Sequence, residues 1–245
     1  MNHILVNTQR EWDNVPLLYR GIVFIDSDPE EDDLIVIKQT KGFLVVTGKS
    51  RVRAVHNAQL SARGESLIMA EDSAIINACG RAVVFANGNS TVNASEDVRI
   101  HAKGNSRVNV SEGVIITAEE NAMVYARGYT SVTASDNAII VSDDNLMMEV
   151  SGNSIVYAHG NANIAASDKA FVFLNGDGEI KATDKVVIMA KGEAKIEAWD
   201  KTTVIAYENV QVCARSETVH TELFDDAVRT NDYYEIHIED TGGEV

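Results

Sequence analysis

An all-β chain wound as a β-solenoid is the fold class this sequence predicts, and three observations predict it. The stretch Ser50 to Glu217 divides into 21 consecutive octads. Counted from Ser50, position three is Val, Ile or Leu in every octad except at Met148, and position five is Ala in 17 of 21, the exceptions being Val110, Ser142, Val150 and Leu174. Position seven is Gly in nine octads and acidic in ten, with His56 and Ser216 outside the rule. Positions one, three and five share one face at a period of two, which is strand geometry; a helix needs apolar spacings of three and four. Gly or an acid, often followed by Asn as at Asn89, Asn105 and Asn153, supplies the corner, because Gly and Asn tolerate positive φ and Asp or Asn side chains can bond their own backbone. Strand plus corner at a fixed period is the signature of a solenoid, and the small–aliphatic–Ala triplet makes its core thin.

Coil length follows from how the octads pair. Gly160 to Asn175, Gly176 to Lys191 and Gly192 to Tyr207 align at 16 residues, which favours a two-sided coil of two octads. A competing period of 24, visible in Gly80, Gly104, Gly128, Gly152 and Gly176, fits a three-sided coil. At ~4.8 Å per strand the first gives a rod of ~50 Å and the second ~34 Å.

Three regions are expected: a cap at 1–49, the repeat at 50–217 and an acidic helix–strand cap at 218–245. In the first, Ile4 to Val6 reads as a strand. Thr8 and Glu11 form a capping box for a short helix carrying Trp12, Val15, Leu17 and Leu18, and Gly21 to Ile25 and Leu34 to Ile37 read as strands around the acidic loop Asp26 to Asp33. In the last, Thr221 to Arg229 reads as a helix with Leu223, Phe224 and Val228 inward, and Tyr233 to Ile238 as a strand. Solenoid ends expose unpaired strand edges, so caps at both ends imply a discrete particle.

Two prolines suit a ladder that needs its amide donors. Cys79 and Cys213 have no companions at metal or disulfide spacing, which with no apolar signal-peptide core or membrane-length segment points to a reduced cytoplasmic chain. Net charge is −16, divided as −3, −6 and −7 over the three regions, and disfavours direct contact with nucleic-acid phosphates.

The outward positions two and four carry the informative variation. On alternate octads they read Met123 and Tyr125, Ile139 and Val141, Ile155 and Tyr157, Phe171 and Phe173, Val187 and Met189, Thr203 and Ile205. The octads between are polar, as at Ser131 and Thr133, Asn163 and Ala165, Glu179 and Lys181, or Lys195 and Glu197. With 16-residue coils this places one apolar outer face on the C-terminal half, to be covered by a second copy, a partner protein or the terminal segments. A corner row, Asp136, Asp168, Asp184 and Asp200 with Gly152 interrupting, offers stacked carboxylates for calcium or for mimicry of a phosphate backbone. Asp is also an ordinary turn residue, Lys169, Lys185 and Lys201 follow three of these directly, and the period is not the nine residues of calcium-binding β-rolls. The six histidines are scattered and no Ser, Cys or carboxylate stands at triad or zinc spacing, so the sequence names no catalytic residue, metal site or cofactor. Glu149, Glu179 and Glu197 interleave with Lys181 and Lys195 as solvated pairs, and outward Thr91, Thr117, Thr133 and Thr203 form no ice-binding file.

The octads SVTASDNA, NSTVNASE, GNSRVNVS and GNSIVYAHG, with the opening NTQREWDNVP, resemble octapeptide-repeat β-helix proteins of bacteriophages and Firmicutes, whose repeats read like Asn-Ser-Ser-Val-x-Ala-x-Gly. The resemblance implies a phage or mobile-element origin. Together the readings lead to a non-enzymatic interaction module, a homodimer or a binder of a host protein. The alternatives are an acidic anti-defence inhibitor of a nucleic-acid-handling enzyme and a virion-surface or carbohydrate-binding β-helix.

Overall fold

The computed structural model describes residues 2–27 and 34–231 of the chain. It is a two-sided β-solenoid of two parallel sheets, one of 14 strands and one of 13, joined alternately by the chain. Sheet A takes the octads that open at Ala58, Ala74, Ser90 and onward by 16, and sheet B those that open at Ser50, Ser66 and Ala82 and onward. Each strand pairs with the strand 16 residues later, as Thr91 with Arg107 and Phe171 with Val187, so the coil is two octads and the three-sided arrangement does not occur. Positions one, three and five line the inside throughout: Ala170, Val172 and Leu174 are completely buried, as are Val186, Ile188 and Ala190. Each fully buried Val, Leu or Ile side chain contributes ~1.5–3 kcal/mol. Along each sheet like stacks on like, as Ile76 beside Val92 and Ala78 beside Ala94, and the file of small Ala side chains keeps the core thin.

The corner explains the Gly-or-acid rule. Position seven lies in the left-handed region in both cases, with φ of 67° at Gly152 and 60° at Asp168. A Cβ built on Gly152 would sit 2.7 Å from the Asp136 nitrogen, so glycine is needed there. At eight of the ten acidic corners the carboxylate reaches back one coil and accepts the N–H of the position-seven residue there. His56 donates to Asp72 at 3.0 Å, Gly80 to Glu96 at 2.6 Å and Gly152 to Asp168 at 3.0 Å. The charge-assisted bond offsets the ~1–2 kcal/mol that a left-handed residue costs. Position eight adds amide ladders, with Asn105 donating to Asn89 and Asn153 to Asn137.

The solenoid begins before the octads do. β1 (His3–Val6), β2 (Ile22–Ile25) and β4 (Phe43–Val46) are the first three strands of sheet A, and β3 (Ile35–Ile37) is the first of sheet B. Their registers run at offsets other than 16, since His3 pairs with Ile22, Ile22 with Phe43 and Ile35 with Val52. The extra residues between these strands hide the period. Helix α1 (Gln9–Asn14) interrupts the first coil. Thr8 caps it by accepting from the Glu11 N–H, and Glu11 accepts from the Asn7 N–H, one residue ahead of the expected partner. Trp12 and Val15 join the core as expected, whereas Leu17 and Leu18 lie beyond the helix and are 57% and 87% exposed. Most of the predicted acidic loop falls outside the described residues.

The C-terminal reading needs correction. Thr221 to Arg229 is not helical: among the described residues His220–Leu223 is the last strand of sheet A and Val228–Asn231 the last of sheet B. One inserted residue after Glu217 shifts the frame, so Thr203 pairs with His220, and the octad resumes as Val219 to Asp226. Asp225 takes the left-handed corner, with φ of 57°. The inward positions now hold Thr221 and Arg229, whose guanidinium donates to Thr221 Oγ1 and Asn231 Oδ1. Leu223 keeps an inward position, paired with Ala206, but in this end coil it is 37% exposed, whereas Phe224 and Val228, 45% and 51% exposed, stand off the inward face. The strand expected at Tyr233 to Ile238 lies outside the described residues.

Candidate interaction surface

The 16-residue register brings the outward apolar residues to one face of sheet A. Met123 pairs with Ile139, Ile139 with Ile155, Ile155 with Phe171, Phe171 with Val187 and Val187 with Thr203. Tyr125, Val141, Tyr157, Phe173, Met189 and Ile205 form the parallel file two residues on. These side chains shield one another: the Tyr157 and Phe173 rings lie 6.4 Å apart, His159 packs edge-on to Phe173, and the Tyr125 hydroxyl lies 3.0 Å from Met123 Sδ. Tyr125 and Tyr157 nevertheless remain 44% and 42% exposed. Six strands at ~4.8 Å and a width of ~15 Å make an apolar area on the order of 400 Å², within the range of patches that usually serve an interface. Among the described residues no segment crosses this face, and the final strand extends sheet A at its end.

Charge is distributed unevenly about it. Residues 1–113 carry 12 basic and 14 acidic side chains, a net −2, and residues 114–245 carry 9 and 23, a net −14. The apolar face therefore lies wholly in the strongly negative half. Behind it, sheet B presents Lys181 opposite Glu197 at 4.0 Å and Arg215 bonded to Glu197 at 2.8 Å, the expected charge pairing, with Met147 64% exposed as an apolar exception.

The acidic row also forms one file. Asp136, Asp168, Asp184 and Asp200 occupy corners on the same edge, and their carboxylates accept from the N–H groups of Glu120, Gly152, Asp168 and Asp184 at 3.0–3.3 Å. Lys169, Lys185 and Lys201 line a shallow groove beside them with Asn153 and Thr218. These carboxylates hold the turn, and no set of three His, Cys, Asp or Glu among the described residues is placed to hold a metal ion. Arg53 by its hydrogen bond to Glu71 and Lys103 by its hydrogen bond to Glu119 are held above their ordinary pKa, and both are surface pairs.

Two surfaces escaped the sequence reading, which followed outward positions only in the C-terminal half. On sheet B, Leu67, Met69, Val83 and Phe85 form an apolar cluster, with Phe85 stacked on His101 at 5.0 Å. On sheet A of the N-terminal half, Asn109 donates to Asn93 and Asn93 to Asn77, both at 2.9 Å, along the floor of a polar trough bounded by Arg63, Tyr125 and Arg127. Both are legible at positions two and four once the coil length is known.

No described helix is long and apolar enough to cross a membrane. Compared with protein-family models, with curated proteins and with solved structures, the chain has no match.

Proposed function

We propose that this chain acts by binding and not by catalysis, and that the apolar face of sheet A from Met123 to Ile205 docks a partner protein whose contact surface is apolar at its centre and basic at its rim. The observation that carries this is the coincidence of a continuous apolar face with a half-molecule of charge −14. Desolvating the face supplies affinity, and the surrounding field selects partners of opposite sign and speeds their encounter. A second copy is the weaker occupant, because a face-to-face dimer would appose two surfaces that each carry that charge. Proteins that handle nucleic acids have the required basic surface, and the resemblance to phage octapeptide-repeat proteins makes a host protein the expected source. A decoy built on the corner row alone is less well supported, since Lys169, Lys185 and Lys201 neutralise it locally.

A labelled peptide alternating Lys and Leu serves as the probe, with oligolysine of equal charge as its control, both read by fluorescence anisotropy. The Lys–Leu peptide is expected to bind more tightly, to weaken with added salt, and to lose at least about tenfold in affinity for Phe171→Lys with Phe173→Lys. Equal binding of the two peptides, or indifference to the double variant, would overturn the proposal. A wild-type dimer that this variant dissociates would assign the face to a second copy.

A further inference from the structure

The two sheets are treated differently at the N-terminal end. Sheet B is closed: the Gln9 side-chain amide takes the place of a neighbouring strand, accepting from the Val36 N–H at 2.6 Å and donating to its carbonyl at 3.4 Å. Lys41 secures α1 in that position by donating to the carbonyls of Trp12 and Asp13, with its ammonium 5.0 Å over the Trp12 ring. Sheet A is open. Its first strand is β1, and among the described residues nothing pairs with the outer edge of that strand. β1 bonds to β2 through the even-numbered residues, since the Ile22 N–H donates to the Asn2 carbonyl and the Asp26 N–H to the Val6 carbonyl. The N–H and carbonyl groups of His3 and Leu5 therefore point away from the sheet.

Open edges are ordinarily guarded by Lys, Pro, a bulge or an inward charge. β1 has none of these, and Asn2 to Gln9 contains no Asp, Glu, Lys or Arg. Leu5 is 56% exposed, and Ile4, at an inward position, is only half-buried because no further coil covers it. Phe43, two strands along the same outer face, is 73% exposed. The opposite end is more polar: Arg229 bonds to Thr221 and Asn231 at its inward positions, and Asp225 and Asp226 add charge beside them.

We infer that β1 is a self-association edge, pairing antiparallel with β1 of a second copy to give a head-to-head dimer with one continuous sheet A. Its chemistry commits the edge to this occupant. The free groups of His3 and Leu5 match those of the other copy when the two-fold axis passes through Ile4, so each copy's His3 meets the other's Leu5 in a hydrogen-bonded pair. Ile4 then packs against its own symmetry mate and covers the exposed end of the core. Charge favours the same arrangement, because described residues 114–231 carry 9 basic and 18 acidic side chains and an end-to-end contact through β1 keeps these two acidic stretches a full rod length apart. The contact closes on itself, so it makes a dimer and not a filament. It goes beyond the docking reading, which uses a different face, and it would present two such faces in one plane.

Small-angle scattering with light scattering on the full chain tests this. At ~4.8 Å per strand, 14 strands give a rod of ~65 Å, so the dimer is expected to span ~130 Å at unchanged cross-section. Leu5→Pro removes an outward N–H without touching the bonds to β2, and Leu5→Lys adds an edge charge; each is expected to yield monomers with unchanged circular dichroism. Phe171→Lys with Phe173→Lys is expected to leave the dimer intact. A wild-type monomer at 100 µM protein, a ~65 Å dimer of doubled cross-section, or a dimer that survives both Leu5 substitutions would each overturn the inference.

Discussion

The two halves of the solenoid have the same interior and opposite exteriors. Ile76 in the first half and Ile188 in the second occupy the same inward position of sheet A and are both completely buried. Outside, the first half of sheet A shows an amide ladder through Asn77, Asn93 and Asn109, and the second shows Tyr157, Phe173 and Met189. Net charge differs sevenfold between the halves although the corner rule is shared. A scaffold set by three inward positions and one corner leaves positions two and four free, and surface chemistry can then change along the rod without disturbing the fold.

Single substitutions separate what the two halves share from what differs between them. The largest effect is expected in the interior: Ile76→Ala and Ile188→Ala should each cost ~2–5 kcal/mol in urea unfolding, and a markedly unequal pair would show that the halves do not share one scaffold. Next comes the corner. Asp168→Ala removes the acceptor of the Gly152 N–H while leaving a left-handed residue, and thermal unfolding should register a loss of about 1 kcal/mol, with Asp168→Gly recovering much of it. The smallest belongs to the outer ladder. Asn93→Ala breaks two exposed amide bonds and should change stability by less than about 1 kcal/mol, so a larger loss would mean that the outer face also holds the fold.

Much of this architecture was legible in the chain. Aliphatic position three and Ala at position five specify a thin two-walled core, and the alternation from Met123 to Ile205 locates the apolar face because its period equals the coil. The ends were harder to read. Between Val6 and Ile22 the coil contains a helix, and after Glu217 a single inserted residue displaces the frame, so strands that continue both sheets lose the spacing that identifies their neighbours. Leu223, Phe224 and Val228 then imitate a helical stripe, while Thr221 and Arg229 break the aliphatic rule at the inward position. Gln9 illustrates a different limit. Its role depends on meeting Val36 across 27 residues, and no local pattern encodes that pairing.

The coil of two octads carries one more consequence, which concerns parity. Deleting or inserting 16 residues shortens or lengthens the rod and leaves every remaining side chain on its own sheet. Deleting eight between Tyr125 and Phe171 exchanges the sheets for the whole downstream chain, so Phe171 and Phe173 would leave the face that holds Met123 and Tyr125 and join the opposite wall. An even number of octads is invisible to the surface, and an odd number cuts it in two. Any lineage that varies the length of this repeat while keeping one continuous apolar face must therefore do so in pairs.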